Sequence, residues 1–178
     1  AESDNADVTT SITGSLLTLT PAENFNGSAV ISVTANDGTE DSNIESFTLT
    51  VTSVNDAPQL TDIIDQTTAE ETPLIITLSA TDVDDDNLIY TAVSDNENVA
   101  TFVSSDSLTL TPTEDFNGTA TITVTVTDDG DPVETDSDSF VLTVTAVNDP
   151  PVLTAIEDQT TAEDNTVSIS MSATDADG

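Results

Sequence analysis

The chain repeats itself at a spacing of about 93 residues, and this repetition constrains its fold more than any other feature. The segment Val54–Pro58, with the sequence VNDAP, returns as VNDPP at Val147–Pro151, displaced by 93 residues. The segment Leu17–Gly27 also returns, at Leu108–Gly118, with an offset of 91. Self-similarity at a fixed spacing is typical of tandem repeats, in which each repeat is one structural unit.

The repeated segments predict three units. We expect one complete repeat over residues 54–146, the C-terminal part of a repeat over 1–53, and the N-terminal part of the next over 147–178. Each VNDxP segment is then a joint between two repeats, because proline removes a backbone donor and interrupts strand pairing. The partial units are expected to meet neighbouring repeats or identical copies in a linear array, in which each repeat contacts only its neighbours.

Within a repeat, apolar residues alternate with threonine or other polar residues. Such a period of two is typical of strands with one face in a core and the other in water. We predict seven strands in the complete repeat, near residues 59–66, 74–81, 88–93, 99–104, 107–111, 119–128 and 138–146. No segment has helical periodicity, so the fold class is all-β. About seven short strands in one repeat predict a tandem array of immunoglobulin-like β-sandwiches.

The charge of the side chains is entirely negative. The 178 residues include 35 Asp and Glu and no Lys, Arg or His, which gives a formal net charge of −35. Neighbouring carboxylates must therefore be solvated or bridged by a bound cation. Nucleic acid and anionic membranes are unsuitable partners, because both are recognised through Lys and Arg. No run approaches the ~20 apolar residues of a membrane helix, so insertion of this segment into a membrane is not expected.

The missing residue types also argue against an enzyme. The chain has no histidine base, no thiol, no lysine and no arginine, and zinc lacks its usual Cys and His ligands. Paired carboxylates can hydrolyse glycosides, but one Tyr and five Phe provide few aromatic platforms for sugars. The absence of cysteine fits either a reducing compartment or a secreted protein that is stabilised by other means.

Acidic residues recur at the ends of predicted strands. Asp82-Val83-Asp84 follows one strand and returns as Asp175-Ala176-Asp177 in the next repeat. Residues i and i+2 of an extended chain share a face, so two carboxylates can point at one position. Calcium takes six to eight oxygen ligands and suits such a pair. One acid of this kind is more often a solvated loop residue, but repetition of the whole set favours calcium.

The combination of D-x-D, N-D-x-P and loop glutamates in one repeat resembles the cadherin-like repeats of large bacterial surface adhesins. The resemblance covers essentially the whole chain, and in cadherins calcium ions lie between successive repeats. At the first joint, around Val54–Pro58, it implies the ligands Glu23, Asn55, Asp56, Asp82, Asp84 and Asp128. At the second joint, around Val147–Pro151, it implies Glu70, Glu114, Asn148, Asp149, Asp175 and Asp177, with Glu71 and Asp115 as substitutes.

The chain departs from the cadherin pattern in two places. The linker lacks its first aspartate, which is replaced by Ser53 and Ala146, and the acidic motif after the fifth strand is reduced. We therefore expect roughly one to three calcium ions at each joint. The adhesive tryptophan of cadherins has no counterpart, because the chain contains no Trp. Strand exchange of that kind is not implied.

These features predict a structural spacer of an extracellular stalk or filament, on the cell surface or secreted, in which calcium makes the joints rigid. The alternative is a calcium-dependent module that binds a carbohydrate or a protein. That function needs an exposed aromatic or apolar patch, and the candidates Phe102 and Tyr90 are expected in the core. The largely Thr, Ser and acidic outward positions favour the spacer.

Two Asn-Gly pairs allow two interpretations. Asn26-Gly27 and Asn117-Gly118 each begin an N-x-Ser/Thr sequon, which is a glycosylation acceptor in secreted proteins. Asn-Gly also forms turns readily, and we favour the turn at both positions. The preceding aromatic residues, Phe25 and Phe116, are expected to pack into the core.

Overall fold

The chain folds entirely into β-strands and connecting loops. The structure is a computed structural model that describes residues 1–176. The strands are β1 (Glu2–Ser3), β2 (Val8–Thr13), β3 (Leu16–Pro21), β4 (Gly27–Val33), β5 (Glu45–Val51), β6 (Gln59–Leu60), β7 (Gln66–Ala69), β8 (Leu74–Thr77), β9 (Ala80–Thr81), β10 (Ile89–Ser94), β11 (Val99–Ser104), β12 (Ser107–Pro112), β13 (Gly118–Thr127), β14 (Thr135–Thr145), β15 (Val152–Leu153) and β16 (Ala173–Thr174). No helix able to span a membrane occurs among the described residues.

Strands β6 to β14 form a β-sandwich around one core. A four-stranded sheet has the order β10-β13-β14-β7, a three-stranded sheet has the order β11-β12-β8, and β6 pairs with β9. The pairing of β14 with β7 is parallel, and the other pairings in this sandwich are antiparallel. Side chains from both sheets meet in the core, for example Leu108 and Leu110 of β12 with Ile122 and Leu142 of the opposite sheet.

The alternation in the sequence matches the two sides of each strand. Ile122, Val124 and Val126 of β13 are fully buried, whereas the threonines between them lie on the outer face. β-branched residues suit both positions, because they pack well on a pleated surface. Five of the seven predicted strands are present as single strands, β10 to β14, and the other two are each divided; the all-β fold class is confirmed.

The first predicted strand, 59–66, is not continuous. β6 pairs with β9 and β7 pairs with β14, and no strand joins them. Two carboxylates of β14 bind the backbone at the end of β6 and in the segment between β6 and β7. Asp136 Oδ2 accepts a hydrogen bond of 2.8 Å from the Leu60 N–H, and Asp138 Oδ2 accepts one of 2.6 Å from the Ile63 N–H. The predicted strand 74–81 is divided likewise into β8 and β9, because its two parts pair with different strands.

Replacing Asp138 tests whether these carboxylates hold the divided strand in place. Asp138→Ala is expected to lower the free energy of unfolding by about 1–3 kcal/mol, because the part-buried Ile63 N–H loses its acceptor. The matched control is Asp106→Ala, which removes an exposed acid from the turn between β11 and β12. Urea unfolding in calcium-free buffer measures both variants. Equal stability of the two variants would show that Asp138 does not hold the divided strand in place.

The remaining described residues form smaller units. β1, β4 and β5 make one sheet and β2 pairs with β3, around a small core of Val8, Ala29 and Ile31. β15 pairs with β16, and residues 150–176 are exposed. The division into one complete and two partial repeats remains a prediction.

The aromatic residues divide into packed and exposed groups. Phe25, Phe116 and Tyr90 are half-buried and pack against the cores, as expected. The expectation that Phe102 lies in the core is wrong, because its side chain is 67% exposed. In β11 the more buried positions are Val99, Thr101 and Val103, and Phe102 occupies the opposite phase. The interpretation of the Asn-Gly pairs as turns is wrong in position: Gly27 and Gly118 have φ of 139° and 147° but begin the strands β4 and β13, and the turns lie just before the pairs, at residues 23–24 and 114–115.

Candidate metal centres at the joints

The first joint lies beside the loop that follows β9. Asp82, Asp84 and Asp86 are half-buried along one side of this loop, whereas Val83 and Asp85 between them are exposed. The period of two therefore gives the three carboxylates a common face. Asp84 Oδ2 accepts a hydrogen bond of 2.8 Å from the Asp56 N–H, so the loop is attached directly to the linker.

Asp128, at the end of β13, is the most enclosed acid of the first joint. Its side chain is only 3% exposed, and Asp128 Oδ2 accepts a hydrogen bond of 2.8 Å from Asn55 Nδ2. Burial alone would raise the pKa of Asp128. Hydrogen bonds from the Glu134 N–H, the Asn55 amide and the Gly130 N–H outweigh burial, so the net effect is a lowered pKa and a stabilised carboxylate.

Asp86 belongs to the same cluster, although the two-residue D-x-D pattern does not include it. Burial raises the pKa of Asp86, and the neighbouring carboxylates of Asp129, Asp82, Asp128 and Asp84 raise it further. The signal that could have identified Asp86 is the continuation of the pattern to D-x-D-x-D. The cluster therefore has more negative charge than the sequence analysis assigned to it.

Gly130 makes room for this cluster. A Cβ at Gly130 would overlap Asn55 Oδ1 and would lie 2.6 Å from Asp86 Oδ2, so no larger residue fits without movement. A cleft beside it is lined by Asn24, Asn26, Asn55, Asp84, Asp86 and Gly130, among others. Oxygen-bearing side chains from both sides of the first joint thus face one space.

The second joint is built around Glu70, at the end of β7. Glu70 is 3% exposed, and its Oε1 accepts a hydrogen bond of 2.6 Å from the Val147 N–H in the linker. Burial raises the pKa of the neighbouring Glu71. The carboxylates of four other acids raise this pKa further: Asp149, Glu114, Asp115 and Glu70. Five carboxylates from three parts of the chain therefore gather at this joint.

The other implied ligands lie at or near the joints in less defined positions. Glu23 is exposed, and the adjacent Asn24 lines the first cleft. Asn148 is exposed and donates a hydrogen bond to the backbone oxygen of Asp149. Asp175 is exposed and follows β16 directly. Asp177 lies outside the described residues.

The donor chemistry of the joints fits a hard divalent cation. Within residues 1–176, Glu70 Oε2 and Asp82 Oδ2 are buried side-chain oxygens without a hydrogen-bond partner. Buried acceptors are normally satisfied, so each requires a partner such as water or an ion. Oxygen-only donors suit calcium, and both atoms belong to ligands that the resemblance implies. Among the described residues, no group of three or more acids is already arranged to hold a metal ion.

Comparisons with known structures agree with the fold. Human CDH23 EC21-23 has a TM-score of 0.55 at 22% identity, covering 92% of this chain and 63% of that one. Mouse Cadherin-23 EC22-24 has a TM-score of 0.54 at 21% identity, covering 82% and 52%. A cis-dimer structure of Protocadherin gammaB7 EC3-6 has a TM-score of 0.52 at 18% identity, covering 97% and 49%. This chain therefore spans less than two thirds of each.

A comparison of sequences gives the family. No curated protein matches the chain significantly. The sequence profile described as "Cadherin-like domain" matches residues 54–145, which is just over half of the chain. This range spans β6 to β14 and the linker that enters them. The chain therefore belongs to the cadherin-like domain family.

Proposed function

We propose that this chain is a structural spacer of an extracellular stalk or filament, in which calcium bound at the joints between repeats makes the array rigid. The observation that carries this proposal is Glu70 at the second joint. Its carboxylate is buried, one oxygen holds the linker through the Val147 N–H, and the other oxygen has no hydrogen-bond partner. A cation beside Glu70 Oε2 would connect the end of one repeat to the linker that leads to the next.

The first joint also supports the proposal, through contacts between the linker and the repeat that follows it. The linker is held to the following repeat by the bonds of Asp56 to Asp84 and of Asn55 to Asp128. These contacts leave several carboxylates close together without any side-chain cation in the chain. Calcium supplies positive charge and can accept oxygen ligands from both repeats. Without it, self-repulsion favours separation of the carboxylates and a flexible joint.

The distribution of charge also supports a spacer. The outer face of the four-stranded sheet carries mainly Thr and Ser, for example Thr123 and Thr125 of β13 beside Ser139 and Ser137 of β14. Acids are concentrated at the joints and in loops. Cadherin-like domains are typically non-enzymatic adhesion domains, which agrees with a spacer. Extracellular calcium modules often bind at ~10⁻⁴–10⁻³ M, which suits an extracellular location.

A calorimetric titration of the whole chain with calcium tests the proposal. We expect saturable binding at submillimolar to millimolar calcium, and weaker binding after Glu70→Gln, which keeps the size of the side chain but removes its charge. The absence of saturable binding by the unmodified chain would contradict the proposal.

One observation favours the alternative, a calcium-dependent module that binds a carbohydrate or a protein. Phe102 and Ile75 are each 67% exposed, and the strand register aligns them across β12 through Thr109. The corresponding positions in the neighbouring segments are Ser11 and Ser168, so this apolar pair is specific to the central repeat. Chemical-shift changes at Phe102 and Ile75 on addition of neutral oligosaccharides would support this alternative.

A further inference from the structure

An apolar pair lies on the outer face of the three-stranded sheet β11-β12-β8. Phe102 of β11 and Ile75 of β8 are each 67% exposed. The strand register pairs Phe102 with Thr109 and Thr109 with Ile75, so the three side chains form one row across the sheet. Apolar residues scattered singly on a surface are ordinary, whereas apolar residues that lie together on one exposed face indicate an interaction surface.

This face carries no charge, although the chain has 35 acids and no Lys, Arg or His. No residue of β8, β11 or β12 is charged. The rows on either side of the apolar pair consist of small or hydroxyl-bearing residues: Ala100 and Thr111 in one row, and Ser104, Ser107 and Thr77 in the other.

The distribution of charge selects the partner that fits this face. Two copies of the chain repel each other through their acids, so they approach most easily through a surface that carries none. A basic partner, by contrast, would be attracted to the acidic loops and joints. The uncharged face with its apolar row therefore suits a second copy of this chain.

The row is complementary to itself under two-fold symmetry, in which each residue of one copy meets its counterpart's neighbour in the other. An axis parallel to the strands and above Thr109 places Phe102 of each copy over Ile75 of the other. Rotation about this axis keeps the direction of the strands, so the two copies are parallel. An axis across the strands would stack the two Phe102 rings on one side and the two smaller Ile75 side chains on the other, which packs the sheets unevenly.

The outer face of the four-stranded sheet has no such row. Val93 of β10 is 64% exposed, but its partners across the sheet are Thr123 and then Ser139. In the segments before and after the central repeat, the positions of Phe102 and Ile75 are occupied by Ser11 and Ser168. The apolar row thus belongs to one face of the central repeat.

We propose that the outer face of β11-β12-β8 is a lateral contact between two parallel copies of this chain, with Phe102 of each copy packed on Ile75 of the other. Three strands of up to six residues give a face of roughly 20 Å by 14 Å. The contact buries roughly 300 Å² per copy, less than the ~800 Å² of a stable interface, so it is weak and reversible.

This inference goes beyond the proposed spacer function and does not depend on calcium, because the face lies on the wall of the sandwich and not at a joint. It agrees with a stalk, however, since neighbouring stalks on one surface run in the same direction. Copies held side by side have a high effective concentration, which compensates for a weak contact.

Sedimentation equilibrium of the whole chain in calcium tests the inference. We expect a monomer–dimer equilibrium at concentrations up to about 1 mM, where even a contact of millimolar affinity is populated. Added sodium chloride should strengthen the association, because salt screens the repulsion between the acids of the two copies. The double variant Phe102→Thr/Ile75→Thr keeps residues that suit strands, and it should weaken the association at least about tenfold, since the apolar contacts are lost.

A second variant tests the symmetry without removing apolar surface. Thr109→Asp places two carboxylates opposite each other across the two-fold axis and should abolish the dimer. The matched controls lie on the four-stranded sheet: Val93→Thr removes an exposed apolar side chain, and Thr125→Asp adds the same charge at a similarly half-buried position. Both controls should associate as the unmodified chain does, and thermal unfolding checks that all variants are folded.

Three results would overturn the inference. The first is an unmodified chain that remains monomeric at the highest concentration. The second is association of the Phe102→Thr/Ile75→Thr and Thr109→Asp variants that equals that of the controls. The third is a monomer whose chemical shifts at Phe102 and Ile75 change on addition of neutral oligosaccharides, because the face would then be a saccharide site. Failure of the chain to bind calcium would overturn the proposed function and leave the dimer measurement unaffected.

Discussion

Removal of calcium is expected to lower the melting temperature of this chain by on the order of 10–20 °C. A ligand at 100 times its dissociation constant stabilises the folded state by about 2.7 kcal/mol. In a domain of 60–100 residues, 1 kcal/mol corresponds to roughly 4–8 °C. Differential scanning calorimetry in ~10 mM calcium and in chelator measures the shift. The reason for the shift is the carboxylate clusters, which have no internal cation to neutralise them.

A variant at the first joint distinguishes the calcium-dependent stabilisation by this joint from that by the second. Asp84→Ala removes a carboxylate that also accepts the Asp56 N–H, so it should abolish the contribution of the first joint and retain that of the second. The control Asp106→Ala also removes one negative charge, but in an exposed turn away from both joints. We expect a reduced calcium-dependent shift only for Asp84→Ala. Superimposable melting curves of the unmodified chain with and without calcium would contradict the account.

Lowering the pH is expected to stabilise the calcium-free chain. The pKa of Glu71 is raised above 4.5, and that of Asp86 above 3.8, because burial and neighbouring carboxylates disfavour their ionised forms. When the folded-state pKa of an acid exceeds the unfolded one, ionisation destabilises the fold, so stability increases as pH falls from neutrality toward these ordinary values. Thermal unfolding between pH 7 and pH 4 in chelator measures this increase.

Two features limit and test the pH effect. The pKa of Asp128 is lowered below 3.8, so the stability that its carboxylate contributes is lost only at lower pH. In saturating calcium the dependence should reverse, because protons compete with the metal for the carboxylates. A calcium-free chain that loses stability steadily from pH 7 to pH 5 would show that the clusters are not under mutual repulsion.

The strands of the sandwich could be predicted because one sequence pattern determined both of their faces. In β13, buried Ile122 and Val124 alternate with outward threonines, and a strand is the structure that separates them. Phe102 was predicted incorrectly because its apolar character was given more weight than its phase in β11. The phase of Val99 and Val103 places Phe102 on the outer face.

The divided first strand could not be predicted, because its cause is distant in sequence. Asp136 and Asp138 accept hydrogen bonds from residues 76 and 75 positions away. Local alternation contains no information on such contacts. The candidate metal sites could be predicted in part. The D-x-D pattern identified Asp82 and Asp84, but the positive φ of Glu71 and Asp115 is a property of the folded backbone that the sequence pattern does not show. The metal ligand set as a whole remains a prediction.

Pulsed EPR distances across the first joint test the central claim, that calcium makes the joint rigid. The chain has no cysteine, so Thr20→Cys and Thr111→Cys introduce one label site in each repeat, at exposed and equivalent positions of β3 and β12. Their separation should be of the order of one repeat, roughly 35–45 Å from the length of the strands. We predict a narrow distance distribution in calcium and a broad one in chelator. Distributions of equal width in both conditions would contradict the account.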